Sequence, residues 1–309
     1  MPPTPRSGPP PSPDRGLTPA ARLRELLDAP GLLVMPCCYD AVSALLVERA
    51  GFPLTFMSGF AVSAARLGLP DTGLISYAEM LDQGRNLCGA VDIPVIGDAD
   101  TGYGNSMNVK RTVHGYAGAG FACVMIEDQV APKRCGHTGG KDVVSRAEAV
   151  ARLGAAVDAR DEGAEVLVMA RTDARAVHGL DEAIERARAF RERGADILFV
   201  EAPASEEELA RVAGELDAPV MANLVEDGDT PLLSHGRLEA LGFKIAAYPL
   251  TLMQVSARAM VRALEAMKQG RHPDAAERLG FAELRELVGF PAYDESSASY
   301  RHEDGPHEE

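Results

Sequence analysis

The chain has 309 residues, 46% hydrophobic and 25% charged, with a formal net charge of −15, so it can bury a substantial core and is not disordered as a whole. That acidity gives no basic field for a phosphate backbone, which removes nucleic acid from the expected partners; a small anionic substrate needs a local cation or a metal. Five cysteines with no CxxC pair argue against a disulfide framework and for a reducing cytoplasm, where any special cysteine acts as a thiol.

Residues 1–16, rich in Pro, Ser and Gly, lack the apolar centre of a signal peptide and read as a disordered leader. Short apolar runs then alternate with stretches of helical period: Leu32–Pro36, Leu54–Met57, Pro94–Gly97, Ala122–Ile126, Val166–Ala170, Ile197–Val200, Pro219–Ala222 and Phe243–Ala247. Thr18-Pro19 marks a helix start, and Ser76 with Glu79, Ser145 with Glu148 and Ser205 with Glu208 have capping-box spacing. Eight such units within about 240 residues, with no GxGxxG or GxxxxGK[ST], predict an α/β fold, a single (β/α)8 TIM-type barrel over 17–290, rather than a doubly wound sheet. The stretch from about Thr251 to Gly289 reads as a C-terminal helical extension used for packing, and 291–309 as a frayed, disordered tail. No run of about 18 apolar residues offers a membrane span.

In such a barrel the chemistry sits where strands end, so polar residues just after the apolar runs are the candidates. They are Tyr39-Asp40, Ser58-Gly59, Asp98 and Asp100, Glu127-Asp128, Arg171-Thr172-Asp173, Glu201, Asn223 and Tyr248-Pro249. Asp40 and Asp173 are expected to cap the following helices. Asp98 and Asp100, two positions apart in a glycine-rich turn, offer a few hard oxygen ligands and leave room for water and substrate, which suits Mg2+ or Mn2+. Around Cys135, Lys133 and Arg134 can lower the thiol's pKa or orient an anion, His137 can donate to a carboxylate, and Gly136, Gly139 and Gly140 let the loop move. Cys37, Cys38, Cys88 and Cys123 read as structural. Arg171 is built for bidentate binding of a substrate carboxylate.

These residues carry a resemblance. Tyr39-Asp40-Ala41, Ser58-Gly59, Gly68-Leu69-Pro70-Asp71, Asp98-Ala99-Asp100-Thr101-Gly102, Glu127-Asp128-Gln129, Lys133–His137, Ala170–Ala174, Glu201-Ala202 and Thr230-Pro231 resemble the isocitrate lyase and phosphoenolpyruvate mutase superfamily, from Leu32 to about Gly270. The KRCGH loop is similar to that of its lyase branch, which includes methylisocitrate lyase, 2,3-dimethylmalate lyase, oxaloacetate acetylhydrolase and petal-death protein. The resemblance implies Mg2+ on Asp98 and Asp100, directly or through water, with Asp71 and Glu127 in support. It implies that Ser58, Gly59, Phe60, Gly136, His137, Arg171, Glu201 and Asn223 line the substrate, and it implies a homotetramer. Gln254 stands where an Arg for a third carboxylate is expected in methylisocitrate lyases, which points away from a tricarboxylate.

The expected reaction is carbon–carbon cleavage of a 2-hydroxydicarboxylate (an alkylmalate, dimethylmalate or methylisocitrate-like acid, or oxaloacetate) to a 2-oxoacid or oxalate. Tyr39 or a metal-bound hydroxide acts as base, Cys135 protonates the departing enolate, and Arg171 and His137 offset its charge. The rival is a phosphorus–carbon bond-forming enzyme like carboxyvinyl-carboxyphosphonate phosphorylmutase, similar through the same loop. A non-catalytic metabolite-binding protein is disfavoured, because acid, metal and anion-binding residues are all present.

Overall fold

The computed structural model describes residues 16–136 and 140–300. Eight parallel strands close into a barrel in sequence order: β1 (Leu33–Cys38), β2 (Thr55–Met57), β3 (Val95–Asp98), β4 (Cys123–Glu127), β5 (Leu167–Thr172), β6 (Ile197–Val200), β7 (Val220–Asn223) and β8 (Ile245–Tyr248), which pairs back onto β1. Each apolar run falls on a strand, and β5 continues past its run because Glu127↔Arg171 extends its ladder with β4.

Alternation along each strand divides the apolar residues into two cores. Val34-side neighbours such as Cys38, with Met57, Val95, Val124, Val168, Leu198 and Ala246, pack outward against the helices. Met35, Cys37, Phe56, Ile96, Met125, Met169, Phe199, Met221 and Ala247 fill the barrel interior. The helix Pro19–Asp28 adds Ala20, Leu23 and Leu27 to that inner cluster. Its partners there include Leu54, Ala122, Leu167, Ile197 and Ile245, all at or just before strand starts, so it plugs the N-terminal mouth and leaves the other mouth for function.

The caps form where the sequence places them, with two differences. Thr18 Oγ1 accepts from Ala21 N, and Ser76 and Glu79 form a reciprocal capping box. Ser145 and Ser205 accept from Glu148 N and Glu208 N, but neither glutamate returns the bond: Glu148 faces Arg152, and the Glu208 carboxylate takes Arg175 and Ala204 N. Asp40 caps Ala41–Arg49 as expected, whereas Asp173 makes no side-chain cap bond at all.

The barrel unit spans Leu17–Ser256, and residues from Ala257 onward group apart from it. The helix Thr251–Lys268 is followed by a short 3-10 turn and the helices Phe281–Leu287 and Phe290–Ala298; the last of these occupies part of the segment expected to be a frayed tail. Among the described residues from 257 on, only Ala266 and Leu287 are buried apolar groups, while Met260, Leu264, Met267, Phe281 and Tyr293 are exposed.

Leu23 is fully buried in the plug. Leu23→Ala is expected to lower unfolding stability by about 2–5 kcal/mol, read as a shifted urea midpoint with little change in slope; an unshifted midpoint would mean that the helix does not close the barrel.

Candidate active site

The inner layer of the barrel ends in a ring whose side chains change from apolar to polar within one strand period. Two positions beyond Ile96, Met125, Met169, Phe199 and Met221 stand Asp98, Glu127, Arg171, Glu201 and Asn223, so strand alternation turns all five toward the axis. A solvent-open cavity of about 570 Å³ lies above the apolar floor, lined by Asp98, Arg171, Glu201 and Asn223 together with Ser58, Phe60, Cys135 and Gly136. Cys37, Phe56, Met125, Phe199 and Met221 form its base, and Val225, Ala247, Pro249 and Leu250 contribute further lining.

One side of this region is acidic. Asp98 Oδ2 accepts from Gly59 N at 3.2 Å and its Oδ1 from Asp100 N at 3.1 Å, while Tyr116 Oη donates to the Asp98 carbonyl at 2.7 Å. Gly59 must be glycine for this approach: a Cβ there would lie 2.5 Å from Asp98 Oδ2. Lys133, with its side chain 5% exposed, places Nζ 2.6 Å from Asp71 Oδ1 and 2.8 Å from Asp100 Oδ1. The ammonium thus pairs with one oxygen of each aspartate, while Glu127 Oε1 has no hydrogen-bond partner among the described residues. Burial pushes the Asp100 carboxyl up to about 6, Lys133 pulling it down and Asp98 and Asp71 adding to the rise.

Four buried carboxylates around one ammonium leave a surplus of negative charge and an unpartnered Glu127 oxygen, a condition that a bound cation relieves. Among the described residues no three His, Cys, Asp or Glu side chains form a ready-made metal cage. The residues therefore fit an ion that takes one or two carboxylates and fills its remaining positions with water and substrate oxygens, which is the habit of Mg2+ or Mn2+ rather than zinc.

Across the cavity, Arg171 is surrounded by acids. Asp173 grips it through Nε at 2.8 Å and Nη2 at 3.0 Å, Glu201 Oε2 meets Nη2 at 3.0 Å, and Glu127 Oε2 lies 3.3 Å from Nε. Burial works against the guanidinium charge, but Asp173, Glu201 and Glu127 outweigh it and hold Arg171 well above its ordinary range. Asp173 has the bidentate share and stays below the usual carboxylate range despite burial. For Glu127, farther off, burial wins over Arg171 and its carboxyl is pushed well up.

The segment that carries Cys135 is pinned at its base. Gln129 bridges to Val143, its side-chain amide donates to the Arg134 carbonyl at 2.8 Å and accepts from Arg134 N at 2.9 Å. Buried Arg152 and Arg186 bind the carbonyls of Glu127, Gln129 and Val144, and Arg186 also reaches Asp128. Gly136 then presses onto the Arg171–Glu201 pair: a Cβ there would lie 2.5 Å from both Arg171 Nη2 and Glu201 Oε2.

The cavity thus brings together Cys135, Ser58, Phe60, Gly136, Arg171, Glu201, Asn223 and Asp98, with Gly59, Asp100, Asp71, Glu127 and Lys133 packed around its acidic side. Three residues behave differently from expectation. Lys133 turns its ammonium to Asp71 and Asp100, two buried carboxylates, rather than to the thiol. Arg171 has its Nε–Nη2 edge taken by protein carboxylates and does not offer it to a substrate. Tyr39 does not line the cavity; its hydroxyl pairs with Ser256 Oγ at 2.9 Å. His137 lies outside the described residues. Sequence reasoning missed the apolar lining, Cys37 included, and the site role of Asp173; strand parity was the available signal for the former.

A model of the phosphoenolpyruvate phosphomutase family matches residues 23–268. The 2,3-dimethylmalate lyase of Eubacterium barkeri is 42% identical over 91% of this chain and 98% of its own. The chloroplastic carboxyvinyl-carboxyphosphonate phosphorylmutase of Arabidopsis thaliana is 40% identical over 90% of this chain and 84% of its own. A solved oxaloacetate acetylhydrolase, in complex with the inhibitor 3,3-difluorooxalacetate, superposes with a TM-score of 0.88 at 34% identity, covering 91% of this chain and 97% of that one. Barrel and site define an enzyme of the oxo-acid lyase class. The chain belongs to the phosphoenolpyruvate phosphomutase family, within the isocitrate lyase and phosphoenolpyruvate mutase superfamily.

Burial pushes Cys38 and Cys88 up to about 12 and Cys37 and Cys123 well above the ordinary thiol range. At pH 8 a thiol of pKa 12 is ionised in about one molecule in ten thousand. Iodoacetamide is therefore expected to label the native protein at Cys135 well before the other four, read by peptide mass spectrometry; equal labelling of Cys88 would contradict this.

Proposed function

We propose that the chain is a divalent-metal-dependent lyase that splits a small 2-hydroxydicarboxylate into a 2-oxoacid and a carboxylate protonated by Cys135. The observation that carries this reading is the shared cavity, with Asp98 and its acidic neighbours at one side and the thiol of Cys135 in the same lining.

Asp98 and Asp100 would hold the ion, with Asp71 and Glu127 in support through water; Mg2+ bound there would polarise the substrate's hydroxyl and carboxylate oxygens. Ser58, Gly59 and Asn223 orient the substrate through hydroxyl, backbone and amide groups. Arg171, neutralised by its own carboxylates, keeps Glu201 and Glu127 in place around the substrate, and the bound cation would offset the charge of the enolate that forms when the C2–C3 bond breaks. The sulfhydryl proton passes from Cys135 Sγ to the carbon of that enolate. Tyr39, occupied with Ser256, is left without the base's role.

The lining supports an alkyl substituent. Arg171 is the only Lys or Arg there among the described residues, and its Nε–Nη2 edge is taken, while Phe60, Val225, Pro249 and Leu250 are apolar or cyclic. A third carboxylate finds no partner among them, which disfavours methylisocitrate, and the apolar residues give an alkyl group contacts that unsubstituted oxaloacetate would not use, so a 2-alkylmalate or dimethylmalate fits better. Five free cysteines and the −15 charge favour a cytoplasmic enzyme with no nucleic-acid partner, and no described helix is long and apolar enough to cross a membrane.

With Mg2+ present, alkylmalates are expected to release a 2-oxoacid at least tenfold faster than methylisocitrate does, or than oxaloacetate releases oxalate, a gap of about 1.4 kcal/mol or more; EDTA should abolish turnover. Cys135→Ser should lower kcat by about 10²–10⁴-fold with Mg2+-dependent pyruvate binding retained. The similarity to the phosphorylmutase favours a second reading, and phosphonate-dependent activity that survives Cys135→Ser would establish it.

We further propose a homo-oligomer, a tetramer by resemblance, built on the exposed apolar residues of the C-terminal helices. Met260→Glu with Leu264→Glu is expected to reduce the mass seen by sedimentation; an unchanged mass would place the interface elsewhere.

A further inference from the structure

The acidic cluster around Arg171 contains a second cation that the reaction described above does not use. Lys141 has a side chain only 4% exposed, and its Nζ donates to Asp173 Oδ1 at 2.9 Å and to the Gly136 carbonyl. Asp173 grips Arg171, and Gly136 lies against Arg171 and Glu201 so closely that no Cβ could fit. The four residues close a ring: Lys141 to Asp173, Asp173 to Arg171, Arg171 to the Gly136 backbone, and Gly136 back to Lys141. Cys135 is joined to that ring by one peptide bond.

We infer that Lys141 is a positioning residue: by tying the Gly136 carbonyl to Asp173 it fixes where the Cys135 thiol stands relative to the Arg171–Glu201 wall. Two further observations support this. A buried lysine is costly unless paired, and Lys141 sits at full pairing where a neutral residue would have packed more cheaply. Its charge is also needed, since Asp173, Glu201 and Glu127 are three acids facing Arg171, and loss of Lys141 would leave Asp173 competing with the other two for one guanidinium. Only an ammonium on a long stem joins a carboxylate and a carbonyl here; a methionine of similar length fills the space and holds neither.

The inference rests on reading Cys135 as the proton donor, so the test includes a readout that does not need turnover. In Lys141→Met the thiol should react with iodoacetamide about tenfold faster than in the intact protein, because the strip is no longer held. Its kcat should fall on the order of 100-fold, the cost of misplacing a reacting group by about 1 Å, with KM nearly unchanged, and Lys141→Arg should recover part of both. A wild-type alkylation rate in Lys141→Met would overturn the inference, as would a loss of kcat fully accounted for by a smaller folded fraction. Should Lys141→Met fail to fold, Lys141→Gln, which keeps a donor for the Gly136 carbonyl and drops the charge, is read by the same alkylation rate, again faster if the inference holds and unchanged if it does not. If the intact protein turns over no hydroxyacid, the lyase reading fails, and the alkylation rates still decide what Lys141 does.

Discussion

The constraint on which the rest of the site depends is an imbalance of buried charge. Asp71, Asp98, Asp100, Glu127, Asp173 and Glu201 are all under 10% exposed, and the buried cations beside them are Lys133, Arg171 and Lys141. Isolated, any of these charges would cost several kcal/mol in a dry interior, and removing one partner from a buried pair typically costs about 3–5 kcal/mol. Each cation is therefore shared, and the sharing sets the geometry. Asp173 takes Arg171 bidentately, Glu201 takes its far nitrogen, and Glu127 is left with the longest bond and a carboxyl pushed up. Replacing such a ring by apolar residues of the same volume is often neutral or stabilising, so the ring is better explained as a site than as a device for holding the barrel together.

The barrel makes that imbalance tolerable by keeping it one layer deep. Met125, Met169, Phe199 and Met221 sit one strand period below Glu127, Arg171, Glu201 and Asn223, and the helix Pro19–Asp28 seals the opposite mouth with Leu23 and Leu27. Water is excluded from below, which strengthens every interaction in the ring, while the open mouth lets ligand enter from above. The same two-residue alternation that builds the core thus also delivers the functional side chains.

Much of this was legible because it is local. Apolar runs mark strands by their own composition, and Thr18, Asp40 and Ser76 mark helix starts by bonds that reach three residues. Asp98 and Asp100 stood out by spacing, and Cys135 by the polarity of its neighbours. What failed to show was partner choice across long stretches of chain. Lys133 looks like a thiol activator until Asp71 arrives from 62 residues away, Asp173 looks like a helix cap until Arg171 and Lys141 claim it, and Tyr39 looks like a base until Ser256 reaches it from 217 residues on. Arg171 lines the cavity but is held by Asp173, Glu201 and Glu127, because a sequence displays an arginine's charge without showing how many acids will surround it.

The stretch from Glu127 to Val144 joins the two halves of the site in physical terms. It leaves β4 at Glu127, among the acids, is clasped at its base by Gln129 onto Arg134 and Val143, and returns through Lys141 to Asp173 at the end of β5. Lys133 and Lys141 thus anchor the two arms to opposite clusters, one to Asp71 and Asp100, the other to Asp173 and Gly136. A thiol carried on such a segment is placed by charge at both ends, not by burial of its own side chain, which is only partial.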